Sequence, residues 1–289
     1  MASPSQDLSG SHPFTSLTPD LVLDALDTVG LRGDGRLTAL SSYENRVYQV
    51  QLEDGSAVVT KFYRPGRWSD AQILEEHAFS HELMAAEIPA IGPLLLEGTS
   101  LHHFAGFAFS VSPRRGGRPP ELDDGEVLEW IGRFLARIHT VGAARPFAHR
   151  PALNVAYSAI EPREWLLANE RVPLDVQSTW TRLSQEAIAA ISRHACLVGH
   201  GGQSPDSIRT LRLHGDCHPG NILWTPTDVP RSAGPGPHFV DLDDAHTGPA
   251  VQDLWMLLSG DRQQRTHQLG ALVDGYEQFR SFEIGRAHV

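Results

Sequence analysis

His214-Gly-Asp-Cys-His-Pro-Gly-Asn-Ile-Leu223 decides the reading of this chain, and Phe239-Val-Asp-Leu-Asp243 follows with its first aspartate 25 residues after Asp216. The first stretch is an H-x-D-x-x-x-x-N element. The second carries a carboxylate between apolar neighbours, on what reads as the next strand. Phosphoryl transfer from ATP needs these parts close together. A carboxylate orients the attacking hydroxyl and accepts its proton late in the displacement, while an amide oxygen and a further carboxylate hold magnesium against the phosphates. Asp216 is the candidate base. Asn221 and Asp241 are candidate ligands, since neutral and charged oxygens suit a hard cation. His214 is expected to brace the loop by hydrogen bonding. Asp243 reads either as a ligand of a second magnesium or support for the first, or as a strand-end carboxylate bonded to backbone amides. Asp253, at the start of a helix, is expected to cap that helix or tether the catalytic loop.

Upstream, Ala57-Val-Val-Thr-Lys-Phe62 and Val47-Tyr-Gln-Val50 flank the turn Glu53-Asp-Gly-Ser56, which predicts a β-hairpin with Lys61 near its end. Lys61 is placed to reach ATP phosphates. A carboxylate on the following helix, predicted over 70–87 behind a Ser-Asp cap, is expected to hold it, with Glu76 preferred and Glu75 the alternative. Ser41-Ser-Tyr-Glu-Asn-Arg46 stands where protein kinases carry a glycine-rich loop. It contains no glycine, yet its amides or the Ser42 hydroxyl could face phosphate. Phe109, Val111 and Ser112 read either as an adenine pocket or as core.

The remaining pattern organises the chain. Residues 1–16 are polar and Pro/Ser-rich and read as a disordered tail. A short helix is expected over 19–31, strands over 37–63 and 91–112, and a composition break at Pro113-Arg-Arg-Gly-Gly-Arg-Pro-Pro120. Val127, Leu128, Ile131, Phe134, Leu135 and Ile138 repeat at helical spacing. Further helices are predicted over 176–195, from about 251, and over 269–282, the last without visible core partners. The fold class is therefore α+β and two-lobed: an ATP-binding lobe over 17–115, built on an antiparallel sheet plus helix, and a mainly helical lobe over 116–283 that carries the catalytic and magnesium-binding residues. The ending 284–289 resembles the translation of a sequencing-library adaptor and is expected to be non-native, with the natural protein continuing.

Composition limits the alternatives. With a formal net charge of −11 the chain is not expected to bind nucleic acid broadly. No apolar run predicts a membrane span, and two cysteines are too few for a disulfide framework, which fits a cytoplasmic protein. A Walker-type phosphate loop, a G-x-S-x-G elbow and convincing zinc spacing are all lacking.

Taken together, these stretches resemble the bacterial stress response kinase A family of the aminoglycoside-phosphotransferase and choline-kinase-like superfamily. Besides the catalytic motif, the resemblance rests on Leu40-Ser-Ser-Tyr-Glu-Asn-Arg-Val-Tyr-Gln-Val50, Lys61-Phe-Tyr-Arg-Pro65, Gln72-Ile-Leu-Glu-Glu-His77 and Gly248-Pro-Ala-Val-Gln-Asp-Leu-Trp-Met-Leu-Leu258. The resemblance implies a two-lobed kinase-like protein using ATP and Mg2+. It implies transfer of phosphate to Ser or Thr of a protein substrate, as a cytoplasmic monomer in a stress response that counters programmed death. By motif position it makes Asp216 the proton acceptor, Asn221 and Asp241 magnesium ligands, and places Ser42 at the ATP loop. The chain departs from the pattern in its long Pro226–Pro237 connection. A small-molecule kinase acting on an aminoglycoside, choline or homoserine, or a nucleotide-binding pseudokinase, are the alternatives.

Overall fold

A computed structural model describes residues 13–194, 209–226 and 235–282. The chain divides into two compact units: a first that runs up to Met84 and takes in Ala90–Gly116, and a second made of Ala85–Pro89 and everything from Gly117 onward.

The first unit is an antiparallel sheet with one helix ahead of its first strand and another between its third and fourth. Helix α1 (Pro19–Asp27) begins where Thr18 Oγ1 accepts the Leu21 amide, with proline at the position that needs no donor. Strands β1 (Gly33–Leu40), β2 (Arg46–Leu52), β3 (Ala57–Phe62), β4 (His102–Phe104) and β5 (Phe107–Pro113) pair in the order β1-β2-β3-β5-β4. The predicted hairpin turn is fixed by Asp54 Oδ1, which accepts both the amide and the hydroxyl of Ser56. Along β3, Val58, Thr60 and Phe62 are buried and the intervening residues are less so, the period of two that puts Lys61 on the other face. Val22, Leu26, Val50, Phe62, Phe107, Phe109 and Val111 form the core here. Phe109 stacks on Phe62 with centroids 5.3 Å apart, so Phe109 and Val111 are core residues, and an adenine-pocket role for those two side chains is withdrawn. Phe14 also packs into this core against Phe107, so apolar burial holds part of the stretch 13–16 that the sequence reading assigned to a polar tail. Helix α2 spans Asp70–Ala85, two residues short of the predicted end. Ser69 and Gln72 open it reciprocally, the Gln72 side chain accepting the Ser69 amide at 2.9 Å.

In the second unit the apolar stripe becomes α3 (Gly125–Gly142), capped by Asp124, which accepts the amides of Glu126 and Val127. Leu128, Ile131, Leu135 and Ile138 are wholly buried, each stabilising the fold by about 1.5–3 kcal/mol. A π-helical turn (Ala156–Ile160) leads into α4 (Glu161–Ala168) and α5 (Leu174–His194). Strands β6 (Thr210–Arg212), β7 (Ile222–Thr225), β8 (Gly236–Phe239) and β9 (Thr247–Pro249) make two small two-stranded sheets, β6-β9 and β7-β8. Helices α6 (Val251–Trp255) and α7 (Arg262–Tyr276) follow.

The C-terminal helix differs from the expectation in two ways. It starts at Arg262, where Asp261 and Gln264 form a capping box, and it does have core partners. Leu272 and Tyr276 are fully buried. Two glycines explain the fit: a Cβ on Gly132 of α3 would lie 2.1 Å from the Leu272 carbonyl oxygen, and one on Gly275 of α7 would lie 2.0 Å from that of Glu129. The two helices meet backbone to backbone. Gly132→Ala is therefore expected to force them apart and to lower stability by about 1–3 kcal/mol, read as a lower urea midpoint. The suspected non-native stretch at 284–289, and most of the Pro226–Pro237 connection, lie outside the described residues.

Candidate active site

The register of β7 against β8 builds the site. Ile222 pairs with Phe239, so Asn221 lies opposite Val240, one residue before Asp241. The Val240 amide donates to the Asn221 carbonyl at 3.0 Å. The strand ends at Phe239, and Asp241 is not on it as the sequence suggested. It sits at φ 60°, ψ 64°, ahead of the 3-10 turn Leu242–Asp244. A non-glycine residue in this left-handed region carries about 1–3 kcal/mol of strain, which persists only where the surroundings over-determine it. Asp241 is exposed, and Asp243 is buried.

Asn221 holds Asp216. Its Nδ2 donates to the Asp216 carbonyl oxygen at 2.9 Å and to Asp216 Oδ2 at 3.1 Å. Since the amide nitrogen is committed there, the carbonyl oxygen of the same side chain is the end that can face a cation. Gly215, at φ 88°, brings the two loops together: a Cβ there would lie 2.0 Å from the Asp244 carbonyl oxygen. Asp216, Asn221 and Asp241 thus arise from two loops whose backbones touch.

His214 spans the same two loops. Its Nε2 donates to the Val240 carbonyl at 3.0 Å, and the Asp216 amide points at its Nδ1 at 3.4 Å. The ring thus turns Nε2 to the Val240 carbonyl and Nδ1 to the Asp216 amide, joining the two loops. Asp253 tethers the loop from beneath: its two carboxylate oxygens accept the amides of His214 and Gly215, each at 2.9 Å. It also accepts from His139 Nε2 at 3.0 Å, and His139 Nδ1 meets the Tyr276 hydroxyl at 2.9 Å. His139 and Asp253 are fully buried. Burial pushes the Asp253 carboxyl upward, but the hydrogen bond and charge of His139, with His214 and the Gly215 amide, outweigh it and hold Asp253 below the usual carboxylate value. Burial pushes Tyr276 up to about 12. Cys217, buried within the loop, has its thiol raised well above the ordinary value by burial, with Asp253 and Asp216 adding to the effect, an environment that disfavours the thiolate.

Three participants escaped the sequence reading. His139 lies just past the apolar stripe of α3 and Tyr276 at the end of α7, and neither falls in a motif. His218 lies inside the motif: its Nδ1 accepts the Gly220 amide at 2.9 Å, which leaves the ring proton on Nε2, 3.5 Å from Asp216 Oδ2. The motif spacing alone could have flagged it.

In the first unit, the two most distinctive runs prove to be partners. Asn45 is buried and its Oδ1 accepts the Arg64 amide at 3.1 Å, while Glu44 pairs with the Arg64 guanidinium at 2.7 Å. Ser42 is half-buried on this anchored turn, and Tyr43 beside it is fully exposed. Lys61 Nζ lies 5.8 Å from the Tyr63 ring centroid. Of the two candidate partners on α2, Glu76 is buried, at 5% exposure, and Glu75 is only partly so. Glu76 touches Ser80 and His77, and His77 in turn joins the Tyr63 hydroxyl and Ser100.

The chemistry of the donor set fits a hard divalent cation. Among the described residues no group of three or more His, Cys, Asp or Glu side chains could hold a metal by itself. Asn221 and Asp241 are both oxygen donors, so a cation beside them would complete its shell from nucleotide phosphates and water, the habit of magnesium.

A loop carboxylate, an asparagine bonded to it and a second carboxylate on an adjoining strained turn are the groups that phosphoryl transfer calls for. The sequence profile of the phosphotransferase enzyme family matches residues 36–288. Among solved structures, the chain is similar to amicoumacin kinase hAmiN in complex with AMP-PNP and Ca2+ (TM-score 0.70, 18% identity, 91% of this chain and 78% of that one). It is also similar to a microcompartment-associated aminopropanol kinase (TM-score 0.68, 18% identity, 93% and 83%). Those likenesses establish the kinase-like α+β fold. Stress response kinase A of Escherichia coli K12 is 43% identical over 275 residues, 95% of this chain and 78% of the relative. Serine/threonine protein kinase RdoA of Salmonella typhimurium is 41% identical over 270 residues, 93% and 77%. The chain belongs to the stress response kinase A family within the phosphotransferase enzyme family, and it is a kinase.

Proposed function

We propose that this protein transfers the γ-phosphate of ATP to Ser or Thr hydroxyls of proteins, with magnesium, as part of a stress response. The observation that carries the chemistry is the Asn221 amide bonded to Asp216 Oδ2 while its backbone is bonded to the residue before Asp241. The protein acceptor rests on the relatives named stress response kinase A and serine/threonine protein kinase RdoA.

Both contacts to the Asp216 carboxylate fall on Oδ2, from Asn221 and, farther off, His218. Oδ1 is then the oxygen that receives the acceptor hydroxyl's proton. Orienting the hydroxyl is its main work, with the proton moving late in the displacement. Asn221 Oδ1 and Asp241 hold the cation, which when bound neutralises phosphate charge. Lys61, steadied by buried Glu76, and the Ser42 turn serve the nucleotide phosphates. Asp243 supports the Asp241 turn from its buried position. The protein acts in the cytoplasm as a monomer. No helix among the described residues is long and apolar enough to cross a membrane.

The second reading, a small-molecule kinase, draws on the amicoumacin and aminopropanol kinases that share the fold. Incubation with γ-labelled ATP and a panel of proteins, amino alcohols and aminoglycosides separates the two. Label on protein Ser or Thr supports the proposal, and label only on a small alcohol overturns it. In the same assay Asp241→Ala is expected to lose at least 100-fold in metal-dependent turnover with an unchanged circular dichroism spectrum, in line with the roughly 10²–10³-fold effects of removing one charge-stabilising group.

A further inference from the structure

We propose that Arg150 is a positioning residue that holds the cation ligand Asp241 in its left-handed conformation. The proposal rests on the reading of Asp241 above and adds a side chain from a distant loop that no motif marks.

Arg150 follows α3 and is 6% exposed. Its Nε donates to the Ala245 carbonyl at 2.8 Å, and its Nη2 donates to the carbonyl of Asp243. A guanidinium is costly to bury unless its donors find acceptors in a geometry that matches its rigid fork. Two of its acceptors are backbone oxygens at the second and fourth positions after Asp241. The backbone carrying Arg150 is itself fastened to the same segment: the Thr247 amide donates to the Pro151 carbonyl at 2.9 Å, and the Leu153 amide to the Thr247 carbonyl at 2.7 Å.

The strained residue is thus fixed from both directions. Before it, Val240 is gripped at its carbonyl by His214 and at its amide by Asn221. After it, the carbonyls of Asp243 and Ala245 are gripped by Arg150. Asp241 lies between the two clamps at φ 60°, ψ 64°. Without the second clamp, the 242–246 segment could rotate and let Asp241 relax to a negative φ, which would redirect its carboxylate. A lysine keeps the charge but cannot reach both carbonyls at once.

The test uses the full chain as wild type, Arg150→Met, Arg150→Lys and Asp241→Asn. Mn2+ binding is titrated by electron paramagnetic resonance with a saturating non-hydrolysable ATP analogue, and amide hydrogen exchange is followed over 240–247. The proposal expects Arg150→Met to weaken Mn2+ at least tenfold and to speed exchange in that segment, with metal-free nucleotide affinity within twofold of wild type. Arg150→Lys should fall between. Arg150→Met with a lowered melting temperature but Mn2+ affinity within twofold of wild type would mean an ordinary core brace and overturns the proposal. Should Arg150→Met not accumulate folded, unchanged Mn2+ affinity in Arg150→Lys overturns it equally. Unaltered Mn2+ binding in Asp241→Asn would remove the metal role of Asp241 itself, a failure distinct from loss in Asp241→Asn beside wild-type behaviour in both Arg150 variants.

Discussion

Replacing Asp216 by asparagine is expected to lower kcat by about 10²–10⁴-fold while leaving the KM for ATP within a few-fold and the thermal midpoint nearly unchanged. The reasons are local. Asp216 is only partly buried, and its side-chain contacts are the Asn221 amide and the more distant His218 ring. An asparagine oriented with its oxygen toward Asn221 keeps that bond, so the fold loses little. What it lacks is a second anionic oxygen to align the acceptor hydroxyl and take its proton. Steady-state kinetics with a melting curve on the same preparation checks this. A variant with wild-type kcat would take Asp216 out of the reaction.

The opposite profile is expected at Asp253. Asp253→Ala removes one carboxylate and leaves three buried donors without a partner: the amides of His214 and Gly215 and Nε2 of His139. Breaking a buried charged cluster in this way costs about 3–5 kcal/mol, a large share of a typical domain's stability. Activity should vanish with the fold at moderate urea concentrations and fall steeply even below them, because the Asp216 loop loses its tether. The pH dependence follows from the same residue. The folded protein holds Asp253 below its ordinary value of 3.8, so the ionised carboxylate stabilises the fold fully above that pH. The contribution disappears as the pH falls through the folded-state value. Wild type should therefore lose stability more steeply than Asp253→Ala on acidification below about pH 4. Urea midpoints measured from pH 7 to pH 3 would reveal it, and parallel curves for the two proteins would contradict it.

Much of this arrangement could be read from the chain because its chemistry depends on spacing. The offset of five from Asp216 to Asn221 is what lets the Asn221 amide reach back to the Asp216 carboxylate and carbonyl. The alternation in Ala57–Phe62 put Lys61 on the face opposite Phe62. The heptad-like stripe of α3 was visible because its partners are apolar side chains. Where contact is made by backbone or by a lone polar group, the sequence carries no periodic trace. Helix α7 was placed too late in the chain, over 269–282 and not Arg262–Tyr276, because it docks through Gly275 and buries Gln268, whose side chain accepts the Ser259 amide. The left-handed turn at Asp241 was hidden because a non-glycine residue does not announce a positive φ. Strands β6 and β9, three residues each, are too short for an alternating pattern. His139 and Arg150 act through partners more than 90 residues away, at Asp253 and Ala245. No local rule connects them.

A crystal structure with a non-hydrolysable ATP analogue and Mg2+ tests the central claim most directly. The account predicts a cation bonded to the side-chain oxygens of Asn221 and Asp241 and to phosphate oxygens, with Asp216 Oδ1 facing the γ-phosphate. A cation held elsewhere, with Asp241 turned away from Asn221, would contradict it.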